Sequence, residues 1–185
     1  MKVRVLGGAL EVGGSCVSVE SKNFKVALDY GIKLDAVTDQ YPKNFDAIFI
    51  SHAHLDHSGS LPRLSSSRNK QFIASSLVTR DVACDLLKDM LKIQSSAKGT
   101  ERFDLQVVNV LKENWTVGES FSLSDLEVKF YDAGHVAGAR MIGLTTEGKQ
   151  LLYTGDFCLH DTEILGGCPL DLLPKNVDVL IMEST

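Results

Sequence analysis

Several things are scarce in this 185-residue chain, and each scarcity closes off a class of explanation. The four cysteines, Cys16, Cys84, Cys158 and Cys168, are scattered and none has a CxxC neighbour, which speaks against a cysteine-built structural zinc site. With no apolar leader behind the strand-like KVRVL that follows Met1, they point to a reducing compartment and a cytoplasmic protein. No stretch approaches the roughly 20 apolar residues that cross a membrane, so no membrane partner is expected. Positive charge is short: 19 Lys and Arg against 24 Asp and Glu leave a net charge of −5. That argues against a broad basic surface of the kind that grips phosphates. The single tryptophan, Trp115, has no second aromatic beside it and reads as a packing residue at a sheet margin rather than a platform for stacked bases. Internal repeats, low-complexity tracts and an obvious interdomain linker are also missing.

What is present is concentrated in one place. Ser51 to Leu61 reads SHAHLDHSGSL and carries His52, His54, Asp56 and His57, three of the five histidines and an aspartate within six residues. The apolar run 47–50 leading into it reads as a buried strand. If the backbone leaves the sheet extended, His52 and His54 point to one side, where two imidazoles can share a metal ion. Ser58 and Gly59 signal a turn into a short helix, which can redirect Asp56 and His57 toward a second ion. A metal-free histidine-rich loop would leave the alternation of imidazole and carboxylate at the mouth of an apolar strand unexplained. A dinuclear metal cradle is the preferred reading.

The rest of the chain reads as short strands at 2–6, 16–20, 24–28, 72–74, 106–110, 121–123, 127–131, 141–145, 150–154 and 179–182. Between them lie a glycine-punctuated loop at 7–14, a loop at 32–46 and a polar connection at 65–70. A short helix is expected at 59–64. A longer one is expected at about 77–94, capped by Ser76, with Val78, Val82, Leu86 and Met90 recurring every fourth residue and Leu87, Leu91 and Ile93 widening the apolar stripe. Asp29 ends a strand within LDYG, where a functional carboxylate and a turn-forming aspartate are equally good readings. His135 lies in DAGHVAGAR, at the end of a strand and between glycines, which repeats the context of the first cluster and marks it as a ligand candidate. Asp156 follows the strand at 150–154, and Glu183 follows the last apolar strand. His160 is read as a surface histidine.

Taken together, DYG, SHAHLDHSGSLP, GHVAGA, YTGDF and the terminal EST resemble the metallo-β-lactamase superfamily, and more narrowly its β-CASP branch of RNA-processing nucleases. This branch includes the cleavage-and-polyadenylation-type factors and their prokaryotic relatives. The resemblance spans the whole chain. It implies an α/β metallo-β-lactamase fold, an αββα sandwich, of which residues 1–185 would be the amino-terminal part. The β-CASP insert and the remainder of the domain would be absent. It implies two zinc ions, one held by His52, His54 and His135, the other by Asp56 and His57, with Asp156 bridging them. Asp29 would orient a ligand histidine, and Glu183 would orient a catalytic histidine supplied later in the chain.

The activity so implied is that of a zinc-dependent phosphodiesterase, a ribonuclease (endonuclease or exonuclease) in RNA 3′-end processing or decay acting on single-stranded RNA. Its nucleophile would be a hydroxide whose parent water has its pKa lowered toward about 7 by the two zinc ions. Two alternatives stand beside it, a thioester or lactam hydrolase on the same fold and a non-catalytic subunit of an RNA-processing complex. Without a carboxy-terminal half, the 185-residue chain alone is expected to fill the second zinc site poorly, to have little nuclease activity and to self-associate.

Overall fold

The computed structural model describes residues 1–33, 41–66, 71–96 and 103–184. Residues 34–40 of the loop expected at 32–46, residues 67–70 of the expected polar connection, and Thr185 of the EST motif lie outside them.

Two β-sheets form the body. The first is six-stranded, in the order β1 (Lys2–Gly7), β2 (Cys16–Glu20), β3 (Lys25–Leu28), β4 (Ala47–Phe49), β5 (Phe72–Ser75), β6 (Trp115–Val117). Its first three strands are antiparallel neighbours, and β3 to β6 run parallel. The second sheet has the order β11 (Val179–Ile181), β10 (Lys149–Tyr153), β9 (Arg140–Thr146), β8 (Leu126–Asp132), β7 (Ser120–Leu123), antiparallel except for the β10–β11 pair. The residue patterns explain the two environments. Strand β4 is apolar at every position because both of its faces are covered, whereas β8 alternates, with Leu126, Val128 and Phe130 turned inward.

The sheets pack face to face through Val17, Val19, Val26, Leu28 and Phe49 on one side and Leu126, Val128, Phe130, Ile142 and Leu144 on the other. Phe49 anchors this layer, with the rings of Phe72, Phe121 and Phe130 at 6.2, 6.0 and 6.4 Å. On the outer face of the first sheet lie α2 (Leu77–Ser96) and α3 (Leu105–Asn114), packed over Ile48, Ile50 and Ile73. Loop residues around Cys168 cover part of the outer face of the second sheet, against Met141 and Leu152. This is the expected mixed α/β sandwich.

Three local expectations need correction. Residues 106–110 are not a strand but lie in α3. Their valines suggested β structure, yet Asp104 caps the helix by accepting from Val107 N–H, and Val108 and Leu111 are buried three residues apart. In α2 the buried stripe runs through Leu87 and Met90 as expected, but its first half is Thr79, Ala83 and Cys84 rather than Val78 and Val82, which are 41% and 43% exposed. Small residues let the helix lie close to the sheet. The turn after the histidine cluster also comes early: α1 is Leu55–Ser58, followed by a 3-10 helix at Leu61–Ser66, so Asp56 and His57 are themselves helical. Ser58 Oγ donates to Ala53 O and His54 O, which tightens that turn. Trp115 does sit at a sheet margin, buried in edge strand β6.

Candidate metal centre

Four chain segments deliver side chains to one point beyond the strand ends. His52 and His54 leave β4, and Asp56 and His57 follow in α1. His135 sits in the β8–β9 loop and Asp156 just past β10. The β8–β9 loop is tied to its neighbours: Arg140 N–H donates to Ser51 O at 2.8 Å, and the hydroxyls of Ser76 and Thr79 both donate to Gly138 O.

One set of donors is compact. His52 Nε2 is 3.1 Å from His54 Nδ1, and His135 Nε2 is 3.5 Å from the same atom. Asp156 Oδ2 lies 3.7 Å from His52 Nε2 and 3.6 Å from His135 Nε2. One ligand atom from each of the four residues falls within 4.8 Å of all the others. A second set adjoins it. His57 Nε2 is 3.3 Å from Asp156 Oδ1 and 3.8 Å from Asp56 Oδ2, and the His52 and His57 rings are 4.1 Å apart. The two oxygens of Asp156 therefore face different groups of imidazoles. All six residues singled out in the sequence as ligand candidates meet here.

The electrostatics suit a bound cation. Burial, helped by the neighbouring His57, holds the His52 pKa well below the usual imidazole range, and burial with the nearby His135 lowers that of His54. Both are favoured as neutral lone-pair donors. His57 goes the other way: burial opposes its charge, but Asp29 and Asp156 outweigh burial and raise its pKa. Asp156 is lowered although burial alone would raise it, because His57, His52 and His135 surround it. Three imidazoles and a carboxylate closing on one point are the donor chemistry of a divalent site that suits zinc.

Asp29 is not a turn residue in the ordinary sense. It directly follows β3 with φ +60° and is fully buried. Its Oδ1 accepts from Ser51 N–H, and its Oδ2 accepts from Ser51 Oγ, His57 Nδ1 and Tyr153 Oη, each at 2.7 Å. Glu183 is placed differently from the ligand cluster. Its Oε1 accepts from Phe157 N–H at 2.9 Å, and its own N–H donates to Thr154 Oγ1 at 3.3 Å, so it braces the turn that presents Asp156. Glu183 and Asp156 both line a cleft of about 200 Å³ together with Gly7, Gly8, Ser15 and His57. His160 is exposed, as expected. Sequence reasoning missed Ser51 and Tyr153. The available signal was a hydroxyl in each of two otherwise apolar strand ends, next to a candidate ligand in one case and three residues before one in the other.

A two-sheet α/β sandwich with a histidine–aspartate cluster beyond its strand ends defines a class of domain that gathers metal-ligand side chains at one edge of its sheets. A family model for the β-lactamase superfamily domain matches residues 34–185, and the chain belongs to that superfamily, the metallo-β-lactamase fold. Over its whole length it is 33% identical to a probable RNase of Methanocaldococcus jannaschii, covering 45% of that protein. It is likewise 33% identical to the cleavage and polyadenylation specificity factor 73 of Drosophila melanogaster, covering 28% of it. Among solved structures, the short form of human tRNase Z has the same fold, with a TM-score of 0.52 at 18% identity over 85% of this chain and 70% of that one. The chain thus spans less than half the length of these curated relatives.

Proposed function

We propose that this chain carries the metal site of a zinc-dependent ribonuclease acting in RNA 3′-end processing or decay. The observation that carries the proposal is Asp156, whose two carboxylate oxygens face two adjoining groups of ligand atoms. His52, His54, His135 and Asp156 would hold one ion. Asp56, His57 and Asp156 would hold the second, with one protein donor fewer. Bound there, divalent cations supply Lewis-acid charge for a phosphoryl group and acidity for water at neutral pH.

The chain's own residues do the rest. Asp29 fixes the His57 ring by accepting its Nδ1–H, so that Nε2 faces the cleft. Glu183 and Thr154 hold the turn after β10 so that Asp156 projects between the imidazoles. Gly7, Gly8 and Ser15 line the cleft into which Asp156 and His57 also face. The net charge of −5 makes the ions, not a basic surface, the source of attraction for an anionic backbone. The names of the two curated relatives, a ribonuclease and a cleavage and polyadenylation factor, support RNA over a thioester or lactam as substrate.

The test is elemental analysis of the full-length protein together with its cleavage of end-labelled single-stranded RNA and of a thioester. Zinc-dependent RNA cleavage that His135→Ala abolishes is the expected result. Thioester cleavage without RNA cleavage would move the protein to another hydrolase class. Full RNA cleavage by the metal-free protein would end the metal-site reading.

A further inference from the structure

Of the two histidines that face each other across the cluster, only His57 touches Asp29. His52 Nδ1 instead lies 3.0 Å from Ser51 Oγ, and that hydroxyl is 2.7 Å from Asp29 Oδ2. Hydrogen counting settles the direction of this chain. An ionised carboxylate only accepts, and a serine hydroxyl has one proton to give. At 2.7 Å from Asp29 Oδ2 that proton is committed to the carboxylate, because the opposite arrangement would set a hydroxyl lone pair against a carboxylate lone pair. Ser51 Oγ then has only lone pairs left for His52. The imidazole must donate Nδ1–H, which leaves the lone pair on Nε2, the atom facing His54 and Asp156.

We propose that Ser51 is a positioning residue for the metal cluster, carrying the orientation set by Asp29 across to His52. A single buried carboxylate then fixes the Nδ1–H of two histidines that belong to the two different ligand groups, one directly and one through a hydroxyl. The surroundings keep the relay in place. Ser51 is 1% exposed. Tyr153 Oη donates to the same Asp29 Oδ2 from the opposite sheet and helps hold the carboxylate. Gly155 closes over the serine: a Cβ there would stand 2.6 Å from Ser51 Oγ, so any side chain at 155 would displace the hydroxyl. The backbone N–H of Ser51 has its own bond to Asp29 Oδ1 at 2.7 Å. Removing the hydroxyl therefore breaks the relay while the main chain stays hooked.

The inference rests on the metal-site reading for its purpose, but its geometry is testable without metal. The measurement is 15N-resolved NMR of the histidine rings in the metal-free protein, for wild type, Ser51→Ala and Asp29→Asn, followed by zinc affinity from chelator competition. In wild type both His52 and His57 should carry a proton on Nδ1. Ser51→Ala should free His52 from the Nδ1–H form and leave His57 unchanged, and Asp29→Asn should disturb both. Zinc affinity of Ser51→Ala should fall about 10- to 100-fold. If Asp29→Asn does not fold, Ser51→Ala decides alone. A His52 ring that keeps its Nδ1–H in Ser51→Ala, or an unchanged zinc affinity, overturns the relay. A wild-type protein that binds no zinc while showing the tautomer pattern would instead sink the functional proposal and leave the relay standing.

Discussion

Replacing Gly31 with alanine adds one methyl group, and the structure says where it would go. A Cβ at Gly31 would lie 1.7 Å from Asp56 O, 2.3 Å from Asp56 C and 2.8 Å from Ser15 N, all backbone atoms. Real Cβ contacts essentially never fall under 3.0 Å, so the two segments must part by at least 3.0 − 1.7 = 1.3 Å. They are stitched by Tyr30 N–H to His57 O at 2.8 Å, Ile32 N–H to Leu55 O at 2.9 Å and Ser15 N–H to Asp56 O at 2.7 Å. Overpacking costs about 1–3 kcal/mol, and each hydrogen bond weakened adds about 1 kcal/mol. A loss of about 3 kcal/mol lowers Tm by about 6–12 °C in a chain of this size. The displaced carbonyl belongs to α1, so Asp56 and His57 move with it and the three-donor subsite should lose metal first. Thermal unfolding followed by circular dichroism, with zinc analysis before heating, reads both effects. Gly148→Ala is the control: nothing lies within 4 Å of a Cβ there, and its φ of +68° leaves only backbone strain. A Gly31→Ala protein that melts with wild type and keeps its full zinc would refute the close-approach argument.

Other perturbations separate the parts. Asp156→Ala should strip metal from both ligand groups, whereas His135→Ala should weaken only the four-donor group; two zinc ions per chain in the Asp156 variant, measured by elemental analysis, would show that it does not bridge. Asp104→Ala removes the α3 cap and should cost about 1 kcal/mol in urea denaturation, with Asp104→Ser recovering most of it. Cys84 is fully buried and burial pushes its thiol up to about 11 from 9.0. Its proton is lost first from the unfolded chain, so its share of stability is complete below about pH 9 and disappears as pH rises toward about 11. In the native protein iodoacetamide should label Cys158, which is partly exposed, well before buried Cys16 and Cys84, by peptide mass mapping.

How much of this was legible beforehand depends on whether the signal is local. The ligand candidates were readable because each sits where an apolar strand stops and a turn begins, as in IFISHAH, KFYDAGH and LLYTGD. Strands with unambiguous alternation or apolar runs, such as β4, β8 and β10, were found within a residue or two. The miss at 106–110 shows the limit. Two valines in a row carry β propensity, but burial of Val108 and Leu111 against α2 and the sheet decided for a helix, a tertiary effect outweighing a weak local preference. Val78 and Val82 failed for a related reason. Their spacing is helical, yet the first half of α2 turns Thr79, Ala83 and Cys84 to the core instead. Tyr153 and Ser51 could not be recognised from one sequence, because their partner Asp29 lies 124 and 22 residues away.

Those long separations bear on how the site is held. His52, His54, Asp56 and His57 come from the first sheet, His135 and Asp156 from the second, and Asp29 and Tyr153 join one sheet to the other by a single bond between a carboxylate and a phenol. The cluster can therefore close only when the two sheets are packed in register through Phe49, Val128 and Ile142. The dependence runs both ways. Neutral imidazoles crowded with carboxylates are costly without a cation, and a cation that binds only the folded chain stabilises it by about 2.7 kcal/mol at 100 times its Kd. Burial within the sandwich lowers His52 and keeps its lone pair free, and this readiness requires the apolar wall that the core supplies. Packing and metal affinity are in this sense one property of the fold, measured by two different experiments.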